Sequence, residues 1–74
     1  MPKLPRITPD KFVRVLIKLR FLEVRQVGSH KIFRGIDNIR VTVPYHKGTN
    51  LHPKILKTFL QDTKLTVEKF IELL

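Results

Sequence analysis

Residues 21–44 decide the fold, and they read FLEVRQVGSHKIFRGIDNIRVTVP. Apolar and polar residues alternate along short stretches of this segment, which is typical of half-buried β-strands. Turn residues separate the stretches at Gly28-Ser29 and at Gly35–Asn38. Pro44 ends the last stretch because proline cannot donate a hydrogen bond to a ladder. We therefore predict an antiparallel meander of three strands over Phe21–Val27, His30–Arg34 and Ile39–Val43.

Three helices flank the predicted meander. Thr8 and Pro9 form a helix start, with threonine as the N-cap and proline at the first helical position. A second helix is expected to begin near Pro53, immediately after His52, and a third follows Thr66 as its N-cap. Apolar spacing predicts that each helix buries one face. In the first helix this face consists of Phe12, Val13, Leu16, Ile17 and Leu19. In the second it consists of Ile55, Leu56, Phe59 and Leu60, and in the third of Val67, Phe70, Ile71 and Leu74.

This order of elements predicts an α+β fold of the type αβββα, with a small additional helix at the end. The apolar helix faces and the apolar strand positions must be buried against each other, so the helices cover one face of a three-stranded antiparallel sheet. The other face of the sheet stays open to solvent. We expect one domain over residues 1–74, because 74 residues do not support more.

Side-chain alternation divides the strand residues between the two faces. Leu22 and Val24 are expected to point toward the core, and so is Phe33 together with the valines of the third strand. Ile32 does not fit, because the same alternation places it outward beside the polar residues. The open face is expected to carry Arg25, His30, Arg34, Arg40 and Thr42.

The composition is strongly basic, since 15 Lys and Arg against 6 Asp and Glu give a net charge of +9. Such a field attracts nucleic acid first, and an anionic membrane or an acidic protein second. The plainer interpretation is a charged surface that keeps a small protein soluble. Met1–Arg6 lacks the apolar region of a signal peptide, and no apolar run approaches the roughly 20 residues of a transmembrane helix. With no cysteine in the chain, these features favour a cytoplasmic protein without a membrane partner.

His30 is the sharpest candidate for chemistry. Imidazole changes its charge between about pH 5 and 8, so it can act as a base or an acid. The alternative is an ordinary exposed histidine on a strand. No metal site is predicted, because His30, His46 and His52 are 16 and 6 residues apart and have no cysteine or acidic ligand beside them. No small-molecule cofactor is expected either, because the glycines belong to turns and not to a phosphate-binding loop.

The chain contains an ordered set of short segments: Pro2–Ile7, Gly28-Ser29-His30, Phe33, Val41–Pro44, His46, Leu51 and Thr66–Phe70. The order and spacing of these segments together are specific, although each segment alone is weak. The set resembles the HicA family of toxins, also called YcfA-like mRNA interferases. Three helix ends depart from the family: Arg20 and Pro9-Asp10 stand where a glycine is common, and Lys54-Ile55 stands in place of Gly-Thr.

The resemblance implies a double-stranded-RNA-binding-domain-like fold, metal-independent cleavage of mRNA and neutralisation by a HicB-like antitoxin protein. The family's catalytic histidine corresponds to His30, and a second group, His46 or Tyr45, must protonate the leaving oxygen. Two rival functions stay open: a non-catalytic RNA-binding module of the same fold, and an interaction domain whose basic face docks an acidic protein. The residues expected to bind RNA are Arg25, Lys31, Arg34, Arg40 and His46.

Overall fold

The computed structural model describes residues 4–46 and 48–74, which fold in the order αβββαα. The strands form one antiparallel sheet with the order β1-β2-β3, so the predicted α+β meander is confirmed. Residues 1–3 of the expected lead-in and residue 47 of the loop after the sheet lie outside the described residues. The elements are α1 (Pro9–Lys18), β1 (Leu22–Val27), β2 (His30–Arg34), a 3₁₀ turn (Ile36–Asn38), β3 (Arg40–Pro44), α2 (Pro53–Thr63) and α3 (Val67–Leu73).

Each of these helices begins at a side-chain cap. Thr8 and Thr66 each accept a hydrogen bond from the backbone amide three residues later, at 3.5 and 3.1 Å. The Nδ1 atom of His52 accepts one from the amide of Lys54 at 3.1 Å. Proline near the start of α1 and α2 suits a position where the backbone N–H has no helical partner. The three predicted helix starts are confirmed.

Helix α1 ends in a Schellman motif. Arg20 has a φ of 69°, in the left-handed region. Its amide donates to the carbonyl of Ile17 at 3.0 Å, and the amide of Phe21 donates to the carbonyl of Leu16 at 2.9 Å. A β-carbon is strained in this conformation, and glycine relieves the strain. Arg20 is therefore a strained residue at the end of α1.

Four phenylalanine rings form the centre of the core. Phe59 lies in α2, and its ring centroid is 5.1 Å from that of Phe12 in α1, with the two planes at 89°. The same ring lies 5.8 Å from Phe21 and 6.4 Å from Phe70. Edge-on contacts of this kind add to the stabilisation that comes from burial alone. The ring of Phe59 thus joins all three helices to the start of the sheet.

The inner face of the sheet closes this core. Phe33, Val41 and Val43 are buried as predicted. Gly35 follows β2 directly, and a β-carbon at this position would lie 2.5 Å from atoms of the Phe21 ring. Glycine is needed here because the ring passes over the backbone too closely for a side chain.

The buried faces of the helices differ from the prediction at three positions. Ile17, Ile71 and Leu74 are 60%, 44% and 46% exposed, so their predicted burial is wrong. Helix α1 buries Leu16 as predicted and Val15 in addition, so its buried face is shifted around the helix and Ile17 faces solvent. A chain of this length has too little interior to cover every apolar side chain.

Strand β1 forms one edge of the sheet, and all six of its residues are exposed. Leu22 and Val24 are 70% and 53% exposed, so their predicted inward orientation is wrong. The reason is a β-bulge at Val24, where the register with β2 shifts. Leu22 pairs with Arg34, and Arg25 pairs with Ile32, so both residues of β1 lie on the open face. Arg25 reaches its predicted face because of the bulge and not because of simple alternation.

Candidate functional site

His30 is the first residue of β2 and lies on the open face of the sheet. Gly28 in the preceding turn has a φ of 58°, a conformation that glycine adopts without strain. His30 pairs with Val27 on one side and with Pro44 on the other. Its side chain is exposed and makes no hydrogen bond to residues 4–46 or 48–74. Both ring nitrogens are therefore accessible to a substrate.

Three arginines lie further along the same face. Arg25, Arg34 and Arg40 line a shallow cavity of about 270 Å³, together with Val24 and Ile32. The open-face residues of β2 are His30, Ile32 and Arg34, and consecutive members are about 6.6 Å apart along the strand. The cavity therefore begins one such step from the histidine.

The three arginines concentrate positive charge on the open face. Arg34 and Arg40 are direct cross-strand partners, and like charges in this arrangement repel each other. Among the described residues the salt bridges are Lys31–Glu23 and Lys69–Glu72, and neither includes an arginine of this face. The sheet therefore presents a local positive potential that attracts anions.

Lys31 points to the opposite side of the sheet from His30, because neighbouring strand residues alternate. Its Nζ atom lies 4.3 Å from the ring centroid of Tyr45 and 4.0 Å from a carboxylate oxygen of Glu23. The side chain is thus held at the helix side. The structure brings Arg25, Arg34 and Arg40 together with each other, but it does not bring Lys31 to them.

The loop after β3 is attached to the turn that carries His30. The amide of Tyr45 donates a hydrogen bond to the carbonyl of Ser29 at 2.7 Å. The Tyr45 ring is half-buried against the core and contacts Lys31, so it belongs to the helix side. His46 follows directly and is exposed. Of the two candidate proton donors, His46 is the one with free access to solvent.

His52 does not line the arginine cavity, and its Nδ1 atom caps α2. Within the described parts of the chain, no group of three His, Cys, Asp or Glu residues is arranged to hold a metal ion. The helices described here are all too short or too polar to cross a bilayer.

A comparison with known families decides the classification. A family model described as "HicA toxin of bacterial toxin-antitoxin" matches residues 9–65 of the 74-residue chain. The chain belongs to the HicA toxin family. No curated protein sequence matches it. Membership of a toxin–antitoxin family implies an antitoxin partner in general.

The match to the HicA family includes α1, the complete sheet and α2, and therefore the turn with His30. The resembling segments at residues 2–7 and 66–70 lie outside it. The three helix ends at which the sequence departs from the resemblance lie at the two ends of α1 and at the start of α2. None of them changes a residue of the cavity beside His30.

Two cavity residues of this HicA toxin were not predicted as site residues. The sequence did indicate Ile32, because strand alternation places this apolar side chain on a face that is otherwise polar. The sequence did not indicate Val24, because the bulge that turns it outward depends on pairing with β2. Both apolar residues belong to the arginine-lined cavity.

Proposed function

We propose that this HicA toxin is a metal-independent endoribonuclease that cleaves mRNA on the open face of its sheet. The observation that supports this most is the position of His30, an exposed titratable group on the same sheet face as three arginines that form no salt bridge among the described residues. RNA matches both features, because its phosphates suit the arginines and its ribose hydroxyl is a substrate for a general base.

In the proposed reaction, the imidazole of His30 accepts the proton of a ribose 2′-OH. The 2′-oxygen then forms a bond to the adjacent phosphorus, and the bond from phosphorus to the 5′-oxygen breaks. Arg25, Arg34 and Arg40 stabilise the negative charge that develops on the phosphate oxygens. His46 donates a proton to the departing 5′-oxygen, since it is exposed and lies next to the anchored Tyr45. The products are a 2′,3′-cyclic phosphate and a free 5′-hydroxyl.

The proposed partners follow from the same surface. The substrate is mRNA, which the toxin meets in the cytoplasm, and the inhibitor is a HicB-like antitoxin protein. Neither a metal nor a small-molecule cofactor takes part, because the histidines and arginines supply both proton transfer and charge stabilisation.

The test is incubation of the purified protein with end-labelled RNA in the presence of EDTA. We expect fragments that carry a 2′,3′-cyclic phosphate at one new end and a hydroxyl at the other. Cleavage that requires added Mg²⁺ would contradict the metal-independent mechanism. Tight binding without cleavage would favour the non-catalytic RNA-binding module.

A further inference from the structure

The open face combines apolar and cationic side chains in one small cavity. Its floor includes Val24, which is 53% exposed, and Ile32, which is half-buried at the middle of the central strand. The guanidinium groups of Arg25, Arg34 and Arg40 belong to the same cavity of about 270 Å³. An anion site alone does not need an apolar floor, and an apolar ligand does not need three cations.

The β-bulge produces this combination. A regular β1 would place Val24 and Arg25 on opposite faces, whereas the shift in register lets both line the same cavity. Bulges next to functional sites commonly re-aim a side chain in this way. The bulge therefore places an additional guanidinium beside an apolar surface.

The repulsion between Arg34 and Arg40 also indicates a ligand. The two residues face each other across β2 and β3, and such pairs of like charges destabilise a sheet. An anion bound between them removes the repulsion. The cavity is smaller than the roughly 300–1,000 Å³ of typical drug-sized pockets, so it suits one monomer unit better than a long segment.

We propose that these five residues form a nucleotide subsite for the RNA unit next to the cleaved linkage. Its base lies on Val24 and Ile32, and its phosphate lies between Arg34 and Arg40. Arginine suits this role because its planar guanidinium can stack on a base and also bind phosphate in bidentate fashion. This subsite rests on the proposed ribonuclease function. Along β2, Ile32 lies about 6.6 Å from His30 and Arg34 about 13 Å from it, so the bound nucleotide is a neighbour of the reacting one.

The test separates contacts to a base from contacts to phosphate. Binding is measured in a His30→Ala background, which keeps the RNA intact, with three probes: a short single-stranded RNA, an inorganic polyphosphate of equal length and polyglutamate. The variants are Ile32→Ser and Val24→Ser. Ile17→Ser is the matched control, because Ile17 is an exposed isoleucine on α1.

We expect Ile32→Ser and Val24→Ser each to weaken RNA binding about fivefold, as follows when roughly 40 Å² of apolar surface is no longer covered by a base. Polyphosphate binding should not change, and Ile17→Ser should change neither affinity. Equal unfolding midpoints for the variants confirm that the fold is intact.

Four results would overturn the subsite. Unchanged RNA affinity in both cavity variants, while the parent protein cleaves RNA, would remove the subsite and leave the proposed ribonuclease standing. Equal losses for RNA and polyphosphate would show that no base is held there. If the cavity variants lost as much affinity for polyglutamate as for RNA, the cavity would be assigned to an acidic protein instead. Absence of RNA binding in the parent would remove the subsite and the proposed function together.

Discussion

Three histidines of the same chemistry occupy three different environments. His30 is exposed on the open face, His46 is exposed in the loop beyond β3, and His52 caps α2 through its Nδ1 atom. When Nδ1 of a neutral imidazole accepts a backbone hydrogen bond, Nε2 carries the proton, so neither nitrogen has a lone pair free to act as a base. At the residue scale, His30 and His46 are therefore the candidates for proton transfer.

Arg20 offers a test of the backbone geometry at the end of α1. Arg20→Gly should raise the free energy of unfolding by about 1 kcal/mol, because a side chain in the left-handed region costs roughly this amount. Urea unfolding should show a higher midpoint with an unchanged slope. The control is Arg20→Ala, which removes the same charge but keeps the β-carbon. Equal gains in the two variants would assign the effect to charge and contradict the backbone explanation.

Strand β2 has two chemically distinct faces. The open face carries His30, Ile32 and Arg34, whereas Lys31 and Phe33 belong to the helix side. Lys31 already contacts Tyr45 and lies near Glu23, so its ammonium group is held away from the histidine. Equal charges on one strand are therefore expected to contribute unequally to RNA binding.

A comparison of Arg34→Gln with Lys31→Gln tests this difference. For single-stranded RNA, each lost phosphate contact reduces the salt slope of log K by about 0.7. We expect that change for Arg34→Gln and little change for Lys31→Gln, although both variants lose one positive charge. Salt titrations of RNA binding in a His30→Ala background measure the salt slope of each variant. Equal slopes in the two variants would mean that total charge, and not the open face, determines affinity.

The elements differ in how well the sequence predicts them, and the reason is the range of the interactions. The helix starts at Thr8, His52 and Thr66 depend on a cap and its neighbours, so they can be predicted locally. The face of β1 depends on how Val24 meets β2, which no local pattern encodes. The exposure of Ile17 depends on how far the other elements reach over α1. The candidate site shows the same division, because strand alternation places His30 and Ile32 on the open face, whereas the outward position of Val24 depends on the bulge.

The whole molecule combines a net charge of +9 with one open sheet face. The helices cover the other face and share its core. For a toxin of this size, a protein that covers the open face removes the proposed site from RNA. An acidic surface on the antitoxin would compete with phosphate for the same arginines and would accelerate association.

We expect Arg34→Glu to slow association with the antitoxin at least tenfold at low salt, because a charge that attracts the acidic partner becomes one that repels it. Lys57→Glu is the matched control: it makes the same change of charge at an exposed position of α2. Stopped-flow association rates at several salt concentrations measure both. Equal slowing would mean that the antitoxin responds to net charge and not to the open face, which would contradict the blocking arrangement.

The most direct measurement is the RNA cleavage rate of His30→Ala beside that of His52→Asn. Asparagine is a good N-cap, so the second variant removes a histidine while it preserves the start of α2. We expect His30→Ala to lose about 10²–10⁴-fold in rate, with an unchanged unfolding midpoint and similar RNA affinity, because it removes a general base. His52→Asn should cleave at the rate of the parent protein. A folded His30→Ala variant that cleaves RNA as fast as the parent would contradict the central role of His30.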